Sequence, residues 1–404
     1  MLRFAIFTYL VLMMSFTHAS EMQKLVDANS RFALDIYAQL RSESGNLFFS
    51  PYSISTALAM TYAGAKSDTA LQMANTLRFS NLDNVHQAYA ELQSELKQLQ
   101  QNGHAKLNTV NAIWYEQHYT IKPDYQTLIE KNYATADSKV LNKADFLHQA
   151  QTVRKQINHW VETHTQDKIK NLLGSDAITP DTIAALVNAI YFKAAWLHAF
   201  KASETEKKAF YLNAKQNKPV DMMQQTKSFG YMENELLQLL VLPYQRNDLS
   251  MLILLPKQQQ GLAELEQGFN LKNLALWLTQ LHDVKIDLTL PKFRIESSFD
   301  LVKTLQELGM RKAFDTQQAN FTGMIDSKDK FAISAVIHKA FIDLDEKGTE
   351  AAAATAVIMT RSGMLERHPK PTIEFKANHP FLFLIKDNTT HSLLFLGRIT
   401  DPTQ

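Results

Sequence analysis

The chain has 404 residues, a formal net charge of +1, 21% charged residues and no cysteine. That length supports one large domain or two ordinary ones with a sizeable core, and near-zero charge exerts no general pull toward nucleic acid or acidic membranes. The missing thiols exclude disulfides, thiolate catalysis and cysteine-ligated metal, so packing alone must hold the fold.

The N-terminus, MLRFAIFTYLVLMMSFTHAS, sets Arg3 before an apolar run from Phe4 to Phe16 and then Thr17-His18-Ala19. A charged start, a short apolar stretch and a small residue at a cleavage point are the anatomy of a secretory signal. The run is short for a transmembrane span. A signal peptide over residues 1–19 is expected, cut near Ala19 and Ser20. It leaves 20–404 as a single domain in a secreted, extracellular protein, or a periplasmic one in a bacterial host.

Leu25, Phe32, Ile36 and Leu40 share a helical face on which Asn29 is the polar exception. Ser50-Pro51 predicts an N-cap followed by first-turn proline, opening a helix over Tyr52 to Ala63. Ser67 is expected to cap a short helix through Leu77, and Val85, Tyr89, Leu92, Leu96 and Leu99 form a further stripe. From about Leu107 the pattern turns to strands. Val187 to Trp196 is a strongly apolar strand. Leu236 to Leu242 and Leu249 to Leu255 flank Arg246-Asn247-Asp248 as a hairpin, and Val284, Ile286, Leu288 and Leu290 alternate with polar residues. Phe381 to Ile385 and Leu393 to Leu396 form another hairpin around Asp387-Asn388-Thr389-Thr390. Helices first, then mostly antiparallel strands, without repeating βα units, predict an α+β fold.

No H-E-x-x-H, G-x-S-x-G, P-loop or dinucleotide-binding glycine pattern occurs. His148, His159 and His164 are separated by eleven and five residues, which we read as sharing no helical face and holding no metal. Asp181 and Ser203 have no partner identifiable from spacing. Neither catalysis nor a cofactor is expected. Asn320 and Asn388 begin N-x-T sequons, which carry glycan only in a eukaryotic secretory pathway.

Five blocks carry a family resemblance. They are NLFFSPYSISTALAMTYAGAKSDTALQM (46–73), LVNAIYFKAAW (186–196), LPKFRI (290–295), VIHKAFIDLDEKGTEA (336–351) and the tail from Phe375 to Thr403 with FKANHPFLFLI, LFLGRI and DPT. In this order they resemble the serpins. The resemblance implies a large central, mostly antiparallel sheet, two smaller sheets, surrounding helices and an exposed reactive-centre loop, here about residues 346–370. It implies a serine protease inhibitor, in which a protease cuts the loop, is held as an acyl-enzyme, and is carried off as the cut loop enters the main sheet. Loop insertion is an established example of strand addition.

Insertion demands small, uncharged residues on the buried face of the entering strand. From Thr349, one face is Thr349, Ala351, Ala353 and Thr355; the other is Glu350, Ala352, Ala354 and Ala356. The first face bears nothing charged and nothing larger than threonine. The hinge implied by the resemblance is Glu346, Gly348, Thr349, Glu350, Ala351, Ala352, Ala353, Ala354 and Thr355. A plain surface helix over Glu350 to Ala356 is opposed by Gly348 and the following β-branched residues, and so short a helix is marginal. Ser50, Ser53, Asn188 and His338 match the hydrogen-bonded cluster beneath the sheet where strands part. Trp196, Lys292 and Glu346 match the site where insertion begins.

Family spacing puts the reactive bond at Ser362–Gly363, or at Arg361–Ser362 in a loop one residue shorter. Arg361 is preferred, because arginine offers a trypsin-like pocket a bidentate charge partner. Met364 and Leu365 suit chymotrypsin- or elastase-like proteases. The expected partner is a trypsin-like serine protease, with a monomeric chain able to form loop–sheet polymers and no nucleic-acid or membrane partner after signal removal. The alternatives are a non-inhibitory carrier or chaperone, or an inhibitor of an elastase-like, chymotrypsin-like or cysteine protease.

Overall fold

Ser20 Oγ accepts the Gln23 N–H at 3.2 Å and opens α1, Glu21–Leu40. The structure, a computed structural model, describes residues 20–101, 105–134, 139–325, 331–349 and 371–404. The expected signal peptide lies outside the described residues. Leu25, Phe32, Ile36 and Leu40 are buried as the stripe predicts, and Asn29 is buried among them. Its Oδ1 accepts from the hydroxyls of Ser55 (2.7 Å) and Tyr89 (3.1 Å), which satisfies it inside the core.

After β1, Leu47–Phe49, the Ser50 cap and Pro51 open α2, Pro51–Tyr62. This helix is buried on every side, as a helix without a polar face must be. The third helix, α3, is Ser67–Thr76, but Ser67 does not cap it. Lys66 holds the cap position, and exposed Ser67 has a φ of 51°, so its hydroxyl cannot reach back to the turn's free N–H groups. The stripe from Val85 lies on α4, Val85–Gln101.

The expectation of strands alone beyond Leu107 is corrected. Strand β2 (Ala105–Glu116) is followed by α5 (Pro123–Tyr133), β3 (Leu141–Ala144) and α6 (Phe146–His164) before β4, Ala184–Ala195. The helical signals were present. Pro123 occupies the first turn, the Asp145 carboxylate accepts the His148 N–H at 3.0 Å, and Phe146, Ala150, Val153, Ile157 and Val161 bury one face. His148 and His159 are eleven residues apart on α6, close to three turns, so they lie nearer one face than the spacing argument allowed. His164 Nδ1 pairs with the Trp160 carbonyl at 2.7 Å, and no group of three or more metal-binding side chains exists among the described residues.

Strands β5 (Glu206–Tyr211), β6 (Asn217–Glu233), β7 (Leu237–Pro243) and β8 (Leu249–Pro256) follow. The hairpin joining β7 and β8 turns through Arg246 and Asn247, both with a φ of 62°. Helices α7 (Leu262–Gly268) and α8 (Leu271–Thr279) lead to β9 (His282–Pro291), β10 (Phe293–Asp300) and α9 (Val302–Glu307). The chain closes with β11 (Ala335–Asp345), β12 (Gly348–Thr349), β13 (Ile373–Lys376), β14 (Phe381–Asp387) and β15 (Leu393–Ile399).

Among the described residues, one nine-stranded sheet runs β1-β15-β14-β8-β7-β6-β9-β13, with β5 on β6. A six-stranded sheet runs β10-β11-β12-β4-β2-β3. Most pairings are antiparallel, but β11–β4, β2–β3 and β13–β9 are parallel. The six-stranded sheet is covered on both faces. Leu186, Ile190 and Phe192 of β4 join the main core, while Ala185, Val187 and Tyr191 face a second core that α6 covers. Burial on both faces explains why β4 reads as a continuous apolar run rather than an alternation.

Candidate functional site at the seam between two strands

Strands β4 and β11 pair directly only along one stretch, Ala185–Tyr191 against Ala335–Phe341. Beyond it they diverge, and the two residues of β12 occupy the gap. Thr349 pairs with Ala194 on one side and Leu344 on the other; Gly348 pairs with Ala195 and Asp345. Both pairings are antiparallel. The hinge therefore begins inside the sheet rather than above it.

The turn that feeds β12 is tightly built. Asp345 Oδ1 accepts the N–H groups of Lys347 (2.8 Å) and Gly348 (3.2 Å). Gly348 has a φ of +149°, and a Cβ there would lie 2.1 Å from the Ala194 carbonyl oxygen. Only glycine fits. Thr349 is fully buried, and its hydroxyl pairs with that of Tyr244 at 2.8 Å.

The three residues expected at the start of insertion all reach this turn. Trp196 Nε1 donates to the Asp345 carbonyl (3.0 Å), and the Trp196 backbone N–H donates to that of Lys347 (2.9 Å). Its indole stacks on Tyr244 with centroids 4.4 Å apart and 13° between planes. Lys292 Nζ pairs with Glu346 Oε2 at 2.9 Å, and the Thr205 hydroxyl donates to Glu346 Oε1 at 2.8 Å. Burial alone would raise the Glu346 carboxyl, but the bonds from Lys292 and Thr205 outweigh it and hold the group below its ordinary value.

Beneath the closed stretch lies the second cluster. Asn188 and His338 face each other across the β4–β11 pairing, and His338 Nδ1 bonds Asn188 Oδ1. Nε2 of the ring accepts the Ser50 N–H at 3.1 Å, so the imidazole is neutral with its proton on Nδ1. Burial pushes its pKa down to about 3. The Asn188 amide nitrogen donates to the Ser53 carbonyl at 3.1 Å, to the Ser53 hydroxyl and to Asn111 Oδ1. The Ser50 hydroxyl donates to the Leu394 carbonyl at 2.6 Å and accepts the Ser53 N–H at 3.2 Å. All four expected residues meet, and each bond between β4 and β11 here must exchange partners if the strands part.

Three residues at the seam escaped the sequence reading. Asn111 stands opposite Asn188 on β2, and a polar residue in a buried strand was its available signal. Tyr244 and Thr205 had none, because each arrives from a distant loop. Of the expected site, Glu350, Ala351, Ala352, Ala353, Ala354, Thr355, Arg361, Ser362 and Gly363 lie outside the described residues. The Asn388 amide nitrogen, the atom a glycan would take, donates to the Asn247 carbonyl and the Ser250 hydroxyl, each at 2.8 Å.

Comparison with known proteins gives a consistent picture. The profile of the family described as serpin (serine protease inhibitor) matches residues 27–402. The chain is 40% identical over 391 residues to leukocyte elastase inhibitor A of Rattus norvegicus, covering 94% of this chain and all of that one. Uncleaved ovalbumin superposes with a TM-score of 0.84 at 31% identity, covering 93% of this chain and 99% of that one. Human thyroxine-binding globulin superposes with a TM-score of 0.85 at 28% identity, over 95% of this chain and all of that one. The five sequence blocks, the β4–β11 seam with its two polar clusters and the family match over almost the whole chain agree: this chain belongs to the serpin family.

Proposed function

We propose that this chain is an exported suicide-substrate inhibitor of serine proteases that traps its target by inserting the cut loop between β4 and β11. The observation that carries this is the position of Gly348 and Thr349, hydrogen-bonded between both strands with Thr349 fully buried. A strand entering from there continues a pairing already begun. The small residues that follow in sequence suit its buried face.

In the chemical step, the protease's serine oxygen attacks the carbonyl carbon of Arg361. The Arg361–Ser362 bond breaks, the new amine of Ser362 leaves with a proton from the protease's histidine, and Arg361 remains as an ester on the serine. From Thr349 to Arg361 is thirteen residues, which as a strand span roughly 43 Å. Insertion over that length carries the attached protease along the molecule before water completes hydrolysis.

We place the target among trypsin-like proteases on account of Arg361. A second reading, an elastase-like target cut at Ser362–Gly363 or beside Met364 and Leu365, draws on the name of the rat relative, an elastase inhibitor.

One experiment separates these readings. The purified chain is mixed with trypsin or pancreatic elastase and run on a denaturing gel, and the released C-terminal peptide is weighed by mass spectrometry. A covalent band at the summed mass is expected, lost in Thr349→Arg. The peptide begins at Ser362 for the trypsin reading and at Gly363 or later for the other. Clean cleavage without the band in either mixture favours a non-inhibitory carrier or chaperone. Export is checked by N-terminal sequencing of protein recovered outside the cytoplasm, with Ser20 or Glu21 expected first.

A further inference from the structure

We infer that Tyr244 is the positioning residue for loop entry: its hydroxyl receives Thr349 and sets the register in which the following residues enter the seam. The inference rests on the inhibitory reading above and deepens it.

Tyr244 is held on all sides. Its ring stacks on Trp196 and meets Phe192 edge-on, with centroids 5.3 Å apart. Its backbone N–H donates to the Leu249 carbonyl at 3.0 Å, and it bridges to Trp196. A ring so fixed points its hydroxyl at one place, the mouth of the seam, and the group it meets there is the Thr349 hydroxyl. Both groups can donate and accept, so one bond satisfies each of them in a site closed to water.

Register is what this bond decides. Side chains alternate along a strand, so a slip of one residue exchanges its two faces. In the observed register Thr349 points inward, and on insertion Ala351, Ala353 and Thr355 would take the same face by alternation. A slip would turn Glu350 to the buried side, where an unpaired carboxylate is strongly disfavoured. Gly348 bends the chain into the gap but has no side chain to be recognised. The first side chain that can report the register is Thr349, and Tyr244 is its partner.

The test compares full-length wild type with Tyr244→Phe, Thr349→Val and the double variant. Each is mixed at graded ratios with trypsin and with pancreatic elastase. The readouts are moles of inhibitor consumed per mole of protease trapped, and the fraction of cleaved chain that survives heating. Tyr244→Phe keeps the stacked ring, so the thermal midpoint of the intact chain should change little. Consumption should rise about five-fold, and the cleaved chain should gain heat resistance more slowly. The double variant should be no worse than either single one, because both changes remove the same bond. Wild-type consumption by Tyr244→Phe with both proteases, or a double variant showing the sum of two losses, overturns the role of Tyr244 alone. A wild-type chain that gains no heat resistance after cleavage overturns the insertion reading as well.

Discussion

Gly348 is the residue at which backbone chemistry and function meet most narrowly. Its φ of +149° and the carbonyl 2.1 Å from a would-be Cβ leave no room for alanine without unseating β12. Gly348→Ala should lower the thermal midpoint of the intact chain by roughly 3 °C or more, read by calorimetry, and should shift protease encounters from trapping to plain cleavage. His338 gives a prediction of a different kind. Its pKa is about 3 in the fold against an ordinary 6.5, so above pH 6.5 the ring is neutral in both states and its contribution to stability is complete. As the pH falls below 6.5 the unfolded chain takes up a proton that the folded one refuses until about pH 3, and stability is lost. Between pH 7.5 and 5 this loss should reach roughly 2 kcal/mol. His338→Gln should remove about that much of the pH dependence of the urea midpoint; an unchanged slope contradicts it. Ser50, Ser53, Asn188 and His338 were legible as motif positions, whereas their mutual bonds were not.

At the level of elements, the turn between β11 and β12 is the part most exposed to charge. Glu346→Lys would face Lys292 with a second ammonium and lose the Thr205 hydroxyl bond. Premature opening of the seam should follow, with loop–sheet polymers forming on warming roughly five-fold faster than wild type on a native gel. Polymerisation at the wild-type rate would contradict the clasp. The register of β12 makes a further forecast about the inserted form. Thr349 pairs with Ala194 and Leu344, so six residues on, Thr355 arrives opposite Asn188 and His338. A hydroxyl there can bond both groups once the strands part. Thr355→Val should therefore cut the heat resistance gained on cleavage by a few degrees, with Thr355→Ser keeping it. The hairpins were readable because turn residues and apolar runs are local. The helices at Pro123–Tyr133 and Phe146–His164 went unread beyond Leu107, although the first opens on Pro123, the second on the Asp145 cap, and both bury residues at helical spacing, because neighbouring apolar strands dominated the pattern.

On the scale of the whole molecule, the seam is a place inside a sheet where two strands can part. One end is closed by direct pairing of β4 with β11, the other by two residues of a strand whose continuation in sequence is small and strand-forming. Completing that strand exchanges the single β4–β11 ladder for two antiparallel ones and buries its inward face. Cleavage within the loop should therefore raise the unfolding temperature by more than about 10 °C, measured by circular dichroism before and after limited proteolysis. An unchanged transition would count against insertion. Family, fold class, the Ser50 cap and the apolar β4 run were legible in local order along the chain, since each is carried by short stretches of sequence. The seating of β12 between two strands, the Tyr244–Thr349 bond, the Asn111 contact and the packing of α6 over the second core were decided only by tertiary structure. Those contacts join residues tens to hundreds of positions apart, and no local pattern encodes which of them will meet.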